Sequence, residues 1–269
     1  MENSQLPQRI YSALAFLAKG DFRTLTTKFY KGYYGVLFFL YKKRKSQPDF
    51  GIKVMTQFPV AVDSPDHLFP AGTKNDNSTN RSFILLMNRQ LTEKFPHEQL
   101  KFLDLGCAGG QLVRDFRDLG YVSVGLEGSD YSLKHKRANW PFLVGKNLFT
   151  CDITKPFEIK TTGEKVTKFN LITAWEVLEH IPSGGLEGVF NNIVSHLKKG
   201  GYFIASTSSS SAEEGPQYHQ TIMTNLRWRE YIEGKFKELE PVDLGFKYYQ
   251  YVRYVIRGER SFLTYKKIA

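Results

Sequence analysis

The chain has 269 residues, room for one globular domain with a small elaboration, and its 41% apolar content, with 21 Phe and 15 Tyr, excludes wholesale disorder. Two cysteines, Cys107 and Cys151, exclude a disulfide scaffold, and no apolar run reaches the length of a membrane-spanning helix. The net charge of +10 is concentrated at one end: residues 1–45 hold nine basic and two acidic side chains, the remainder 28 and 25. So small an excess on the body argues against a broad nucleic-acid groove. No basic-then-apolar leader opens the sequence, so a reduced, cytoplasmic compartment is the expectation.

Residues 1–50 are expected to form a basic helical extension and 51–269 the main domain. Helical patterns run over 7–19 and, after Gly20-Asp21, over 22–29. The stretch KFYKGYYGVLFFLYKKRK, residues 28–45, then sets an aromatic and aliphatic segment beside four consecutive basic residues. That arrangement fits a helix packed on the domain, or one held peripherally at an anionic membrane surface. Residues 46–80 read as irregular, with a strand expected in IKVMTQFPVAV. The following DSPDHLFPAGTKNDNSTN is dense in turn residues, and a loop this long inside a domain implies a task. A helix is expected over 81–93.

From Lys101 the pattern alternates. Short apolar strands are expected at 101–105, 121–127, 147–151, 169–174 and 201–207, with helices at 110–119, 131–139 and 186–197. Strands of this kind separated by helices predict an α/β domain, a parallel sheet covered on both faces. Residues 247–267 form two longer runs about Gly258-Glu259, which predicts an antiparallel hairpin at the sheet end.

The first strand opens into LDLGCAGGQL, placing Asp104, Gly106, Gly109 and Gly110 between a strand and a helix, where glycines permit a tight turn and close ligand approach. The second strand ends in Glu127, 23 residues after Asp104, where an acid can accept both hydroxyls of an adenosine ribose. The DLGCAGG spacing differs from the dinucleotide GxGxxG, Asp104 suits a cationic amino-acid group, and Asp152 with Ile153 at the end of the third strand suits an adenine. These features favour S-adenosylmethionine over NAD.

In LDLGCAGGQL, LEGSD, TCDI, FNLITAWEVLEHIP and LKKGGYFIAST, taken in this order, the chain resembles class I S-adenosylmethionine-dependent methyltransferases. The resemblance implies a Rossmann-like fold: a seven-stranded, mostly parallel sheet with a terminal antiparallel hairpin and helices on both faces, preceded here by the N-terminal helical extension. It places Asp104, Gly106, Cys107, Ala108 and Gly110 in the turn about the methionine moiety and Glu127 on the ribose, with Gly128 and Ser129 at its edge. Asp152 and Ile153 would meet the adenine, and Ala174 and Trp175 would lie beside the sulfonium. Two positions depart from the pattern: Ala108 replaces the usual middle glycine, and Asn170 a common Asp.

Glu176, Glu179 and His180 form an ExxEH cluster after the fourth strand; in a helix they would share one face. Two close carboxylates repel unless a cation or protons intervene, and carboxylates with imidazoles suit Mg²⁺ or Mn²⁺. His219, after the Ser-rich crossover, is the candidate fourth ligand. The cluster resembles those of metal-dependent small-RNA 3′-end and ubiquinone-pathway O-methyltransferases, and the alternative is a metal-free site with His180 as general base. The pattern of His219 followed by Trp228 and Tyr231 resembles acceptor-side machinery of glycan-modifying relatives, and His67 and Asp76 are candidates at the pocket entrance. Cys107 is expected to pack rather than react. The first expectation for the acceptor is a saccharide or lipid-linked glycan hydroxyl. An RNA terminus, a small catechol or quinol, and a non-catalytic cofactor-binding subunit are the alternatives.

Overall fold

In the middle of the chain the short strands are apolar on both faces, the signature of central strands in a covered parallel sheet. The computed structural model describes residues 22–42, 48–163, 166–208, 218–252 and 260–269. The described helices are α1 (Phe22–Tyr41), α2 (Pro65–Leu68), α3 (Ala71–Asn75), α4 (Arg81–Lys94), α5 (Gln111–Asp118), α6 (Tyr131–Lys134), α7 (Trp140–Leu143), α8 (Leu186–His196) and α9 (Asn225–Lys235). The strands are β1 (Lys53–Thr56), β2 (Lys101–Leu105), β3 (Val122–Glu127), β4 (Leu148–Thr150), β5 (Phe157–Lys160), β6 (Phe169–Trp175), β7 (Leu197–Ser208), β8 (Leu239–Pro241) and β9 (Arg260–Lys267).

Seven strands form one sheet in the order β4-β3-β2-β6-β7-β9-β8. All pairings from β4 to β7 are parallel, and β9 runs antiparallel to both β7 and β8. Strand order reverses between β2 and β6, where the crevice of such sheets lies. The register brings Asp104 beside Thr173, Leu105 beside Ala174 and Glu127 beside Thr150, so four strands end at one edge. One face is covered by α4 and α5, through Phe83, Phe102 and Phe116; the other by α8 and α9, through Phe190, Ile193 and Trp228. The architecture is the α/β, Rossmann-like class I methyltransferase fold expected from the sequence.

Several elements differ from expectation. The patterns at 22–29 and 28–45 join into one helix, because Gly32 and Gly35 cost a helix only about 1 kcal/mol each and α1 is held by tertiary packing. The helix expected over 131–139 stops at Lys134, and a second short helix starts only at Trp140, with Lys136 and Ala138 at positive φ between them. Among the described residues the last strand pairs antiparallel with β7 and β8, and Tyr248–Gln250 forms a 3₁₀ turn, whereas residues 253–259 of the expected hairpin lie outside the described residues. Helix 7–19, the basic residues 43–45 and the turn at 258–259 lie outside the described residues. A second, two-stranded antiparallel sheet pairs β1 with β5. No helix among the described residues is long and apolar enough to cross a membrane.

Asn80 ties the N-terminus of α4 to the far end of the chain. Its Oδ1 accepts from Ser82 N at 3.0 Å, and its Nδ2 donates to the carbonyls of Tyr249 and Tyr251 at 2.8 and 2.9 Å. Asn80→Ala removes a cap and strands two carbonyls, so it is expected to cost ~2 kcal/mol or more, read as a lower urea midpoint at unchanged m.

Candidate active site

The turn after β2 is built on backbone geometry. Gly106 and Gly110 have φ of 71° and 78°, in the left-handed region that favours glycine. A Cβ on Gly106 would lie 2.4 Å from Val177 Cγ2. Gly106 N and Cys107 N both donate to Leu126 O, binding the turn to β3. Ala108, at the position where a glycine is usual, also has positive φ, at 44°. It is held there from both sides: its N–H donates to Glu127 Oε2 at 2.7 Å, and its carbonyl accepts from Trp140 Nε1 at 2.7 Å. At the other departure Asn170 Oδ1 accepts from Lys101 N at 2.9 Å, while its buried Nδ2 has no hydrogen-bond partner among the described residues.

Glu127 is buried at the end of β3, with Oε1 accepting from Ser129 N at 3.2 Å and facing Thr73 Oγ1 at 3.5 Å. Burial pushes its carboxyl up to about 7 despite these bonds. In the ligand-free chain the folded state therefore binds a proton that the unfolded state releases above about 4.5. Stability should fall as pH rises from about 4.5 to about 7, by up to ~3 kcal/mol. Urea unfolding at both ends of this window should show a smaller loss for Glu127→Gln than for the native chain.

The long polar loop is the roof of the site. Asp152 N donates to Phe58 O, Ala61 N to Gly128 O, and Gly109 N to Asp76 O. Asn77 Oδ1 accepts from Gln111 N at 3.0 Å. Under this roof lies a cavity of about 1150 Å³, large for a single small ligand. Gly106, Ala108, Glu127, Gly128, Asp152, Ile153 and Trp175 line it, as do Glu176, Glu179, His180 and His219. Asp104, Cys107, Gly110, Ser129 and Ala174 stand behind the wall. Asp104 accepts from Thr173 Oγ1 at 2.6 Å, and Ser129 and Gly110 support Glu127 and the turn through their backbone. Burial, reinforced by Glu127 and Asp104, raises the Cys107 thiol far above its ordinary range, which suits a packing residue rather than a nucleophile. Asp152 Oδ1 is engaged by Thr154 through its N–H and hydroxyl, so this residue also shapes its own turn.

At the end of β6 the chain makes a 3₁₀ turn over Leu178–His180 rather than a helix including Glu176. Glu176 sits at φ 56°, outside the turn, and its Oε1 accepts from Ser206 Oγ at 2.5 Å. The potential ligand atoms of Glu179, His180 and His219 lie within 4.8 Å of one another; Glu176 is outside this group of three. The crossover is clamped to the turn by Gln220 N and Thr221 N, both donating to Glu179 O, which brings His219 beside His180 with ring centroids 5.0 Å apart. Glu179 is fully buried: Oε1 accepts from Ser208 N at 2.8 Å, and Oε2 has no hydrogen-bond partner among the described residues. Burial first, then the Glu176 charge, raises this carboxyl to about 8.

The roof adds a residue the sequence reading missed. Asp66 Oδ2 lies 3.1 Å from His180 Nδ1, an ion-pair distance once the imidazole is protonated. Its neighbour His67, the candidate from the sequence, is not in the cavity wall, whereas Asp76 is. The aromatic acceptor pattern is corrected as well. Trp228 is completely buried among core residues, and Tyr231 packs on Phe190 and Phe236.

This geometry agrees with the chain's likenesses. A ubiquinone biosynthesis O-methyltransferase of Bartonella quintana is 26% identical over 163 residues, covering 57% of this chain and 55% of that protein. One of Glaesserella parasuis is 29% identical over 117 residues, covering 42% and 47%. The chain thus spans about half the length of these curated relatives. Among solved structures, an S-adenosylmethionine-dependent methyltransferase from Clostridium acetobutylicum superposes with a TM-score of 0.52 at 17% identity, over 76% of this chain and 96% of that one, a likeness of fold. Residues 75–241 match the model of a methyltransferase domain family, so the chain belongs to that family and carries the class I S-adenosylmethionine-dependent methyltransferase fold.

Proposed function

We propose that this protein is an O-methyltransferase that moves the methyl group of S-adenosylmethionine to a hydroxyl of a small acceptor with neighbouring oxygens, a catechol or quinol, at a site that takes a divalent cation. The observation that carries the reading is the convergence of Glu179, His180 and His219 in the same cavity as the cofactor turn. The names of the relatives, all concerned with ubiquinone biosynthesis, support a small aromatic acceptor over the saccharide or lipid-linked glycan first expected. The glycan expectation drew in part on Trp228, which is core.

The residues fit both groups. Gly106 leaves room that a Cβ would fill, and Glu127 offers a buried carboxylate at the end of β3. For a cation, the donor set is one carboxylate and two imidazoles, the mixture that suits Mn²⁺ or another borderline divalent metal, and it includes Glu179 Oε2, which has no hydrogen-bond partner among the described residues. S-adenosylmethionine supplies an electrophilic methyl, and a divalent cation supplies positive charge to adjacent acceptor oxygens. Glu127 would accept the ribose hydroxyls, Asp104 would brace the turn about the cationic amino-acid end from behind the wall, and Asp152 with Ile153 would hold the adenine. Glu179, His180 and His219 would hold the cation, with Asp66 orienting the His180 ring through Nδ1. Alignment of acceptor oxygen with methyl then carries much of the rate. The acceptor exchanges its O–H bond for an O–CH₃ bond, releasing a proton and the demethylated cofactor.

The reading is tested with S-adenosylmethionine labelled in the methyl group, a dihydroxybenzoate and Mn²⁺. Label should appear in the methyl ether, and chelation should remove it. Cofactor binding without transfer to catechols, quinols or other small phenols under any divalent metal contradicts it.

A further inference from the structure

Helix α1 is apolar on two sides. One stripe, formed by Thr27, Tyr30, Tyr34 and Phe38, faces the domain. Tyr30 and Tyr34 stack on Tyr249 with centroids 4.1 and 6.1 Å away, and Phe38 is buried beneath the Arg81 guanidinium. The second stripe, formed by Phe29, Tyr33, Val36 and Leu40, recurs at i, i+4, i+7 and i+11 and is 51–69% exposed, as is Tyr41 at 65%. The two stripes are offset by two residues, which places them on opposite sides of an α-helix. Among the described residues only the first of these two apolar stripes is covered.

Charge identifies what fits the open side. Helix α1 contains no acidic residue, Lys28 and Lys31 are exposed on it, and the sequence continues with Lys43-Arg44-Lys45. Lys42, at the end of the helix, forms an ion pair with Asp118. Aromatic and aliphatic anchors flanked by basic residues without acids match the interface of an anionic bilayer. A second copy of the chain would oppose the same basic groups to one another. We propose that the outward face of α1 docks this protein peripherally on an anionic lipid surface, with Phe29, Tyr33, Val36 and Leu40 inserted at headgroup depth.

The test is co-sedimentation of the full chain with vesicles of phosphatidylcholine alone, or containing about 30% phosphatidylglycerol. The native chain should bind the anionic vesicles at low salt at least about tenfold more tightly than the neutral ones. Val36→Asp/Leu40→Asp should reduce this binding about tenfold or more, and the milder Val36→Ser/Leu40→Ser should act in the same direction. Both should keep native S-adenosylhomocysteine affinity, a readout that reports folding and is separate from acceptor chemistry. Failure to bind anionic vesicles, equal binding by folded variants, or a dimer that the substitutions abolish in place of lipid binding would overturn the proposal.

Discussion

Glu179→Ala should abolish the response of activity to added Mn²⁺ and lower turnover on a catechol about a hundredfold or more, while S-adenosylhomocysteine affinity stays within about threefold of native. Its carboxylate is fully buried, one oxygen is fixed by Ser208 N, and the other lies among the ligand atoms of His180 and His219. The same burial sets a pH dependence. With its carboxyl raised to about 8, Glu179 must lose a proton when a cation binds, so affinity should rise about tenfold per pH unit from roughly 6.5 to about 8 and then level off. Without metal, removing a buried carboxyl costs little stability, so Glu179→Gln should unfold within about 1 kcal/mol of the native chain at pH 7. Calorimetry and urea melts separate these effects: a variant that binds Mn²⁺ normally and responds to it would contradict the ligand role.

Glu127→Ala should weaken S-adenosylhomocysteine binding about a hundredfold, with any remaining turnover restored at saturating cofactor. Two charge-assisted bonds to a ribose diol are worth roughly 2–4 kcal/mol in a buried site, which sets that magnitude. The carboxylate also braces the turn, because it accepts from Ala108 N and Ser129 N. Glu127→Gln retains acceptor capacity on one atom and should lie between the native and alanine proteins. Unchanged cofactor affinity in the alanine variant would remove Glu127 from the ribose site.

Much of this was legible because period and spacing suffice for it. The strands at 101–105 and 169–174 are short, mostly apolar segments between turn signals, and the structure places them within one residue of those limits. The cofactor turn and Glu127 lie at strand ends, where local spacing dictates position. What sequence could not supply was long-range closure. Strand β1 falls inside the segment IKVMTQFPVAV read as a strand, but its partner β5, four residues long, is too short for periodicity and carries no local signal. Asp66 sits in a loop without register, so its approach to His180 follows from the folding of the roof and carries no local signal. Glu176 was placed on a helical face with Glu179 because ExxEH has helical spacing. Its positive φ, with Ser206 taking the carboxylate, breaks that helix at its first residue. Trp228 shows the opposite error: an aromatic read as acceptor-facing fills the core instead.

The cation site is the claim on which the chemistry turns, and one titration addresses it: Mn²⁺ into the protein saturated with S-adenosylhomocysteine, followed by calorimetry. One ion should bind per chain, with micromolar affinity at pH 8 and loss of that heat in Glu179→Ala. Absence of binding at pH 8, or an isotherm unchanged by the substitution, would contradict it and return His180, oriented by Asp66, to the role of a metal-free base.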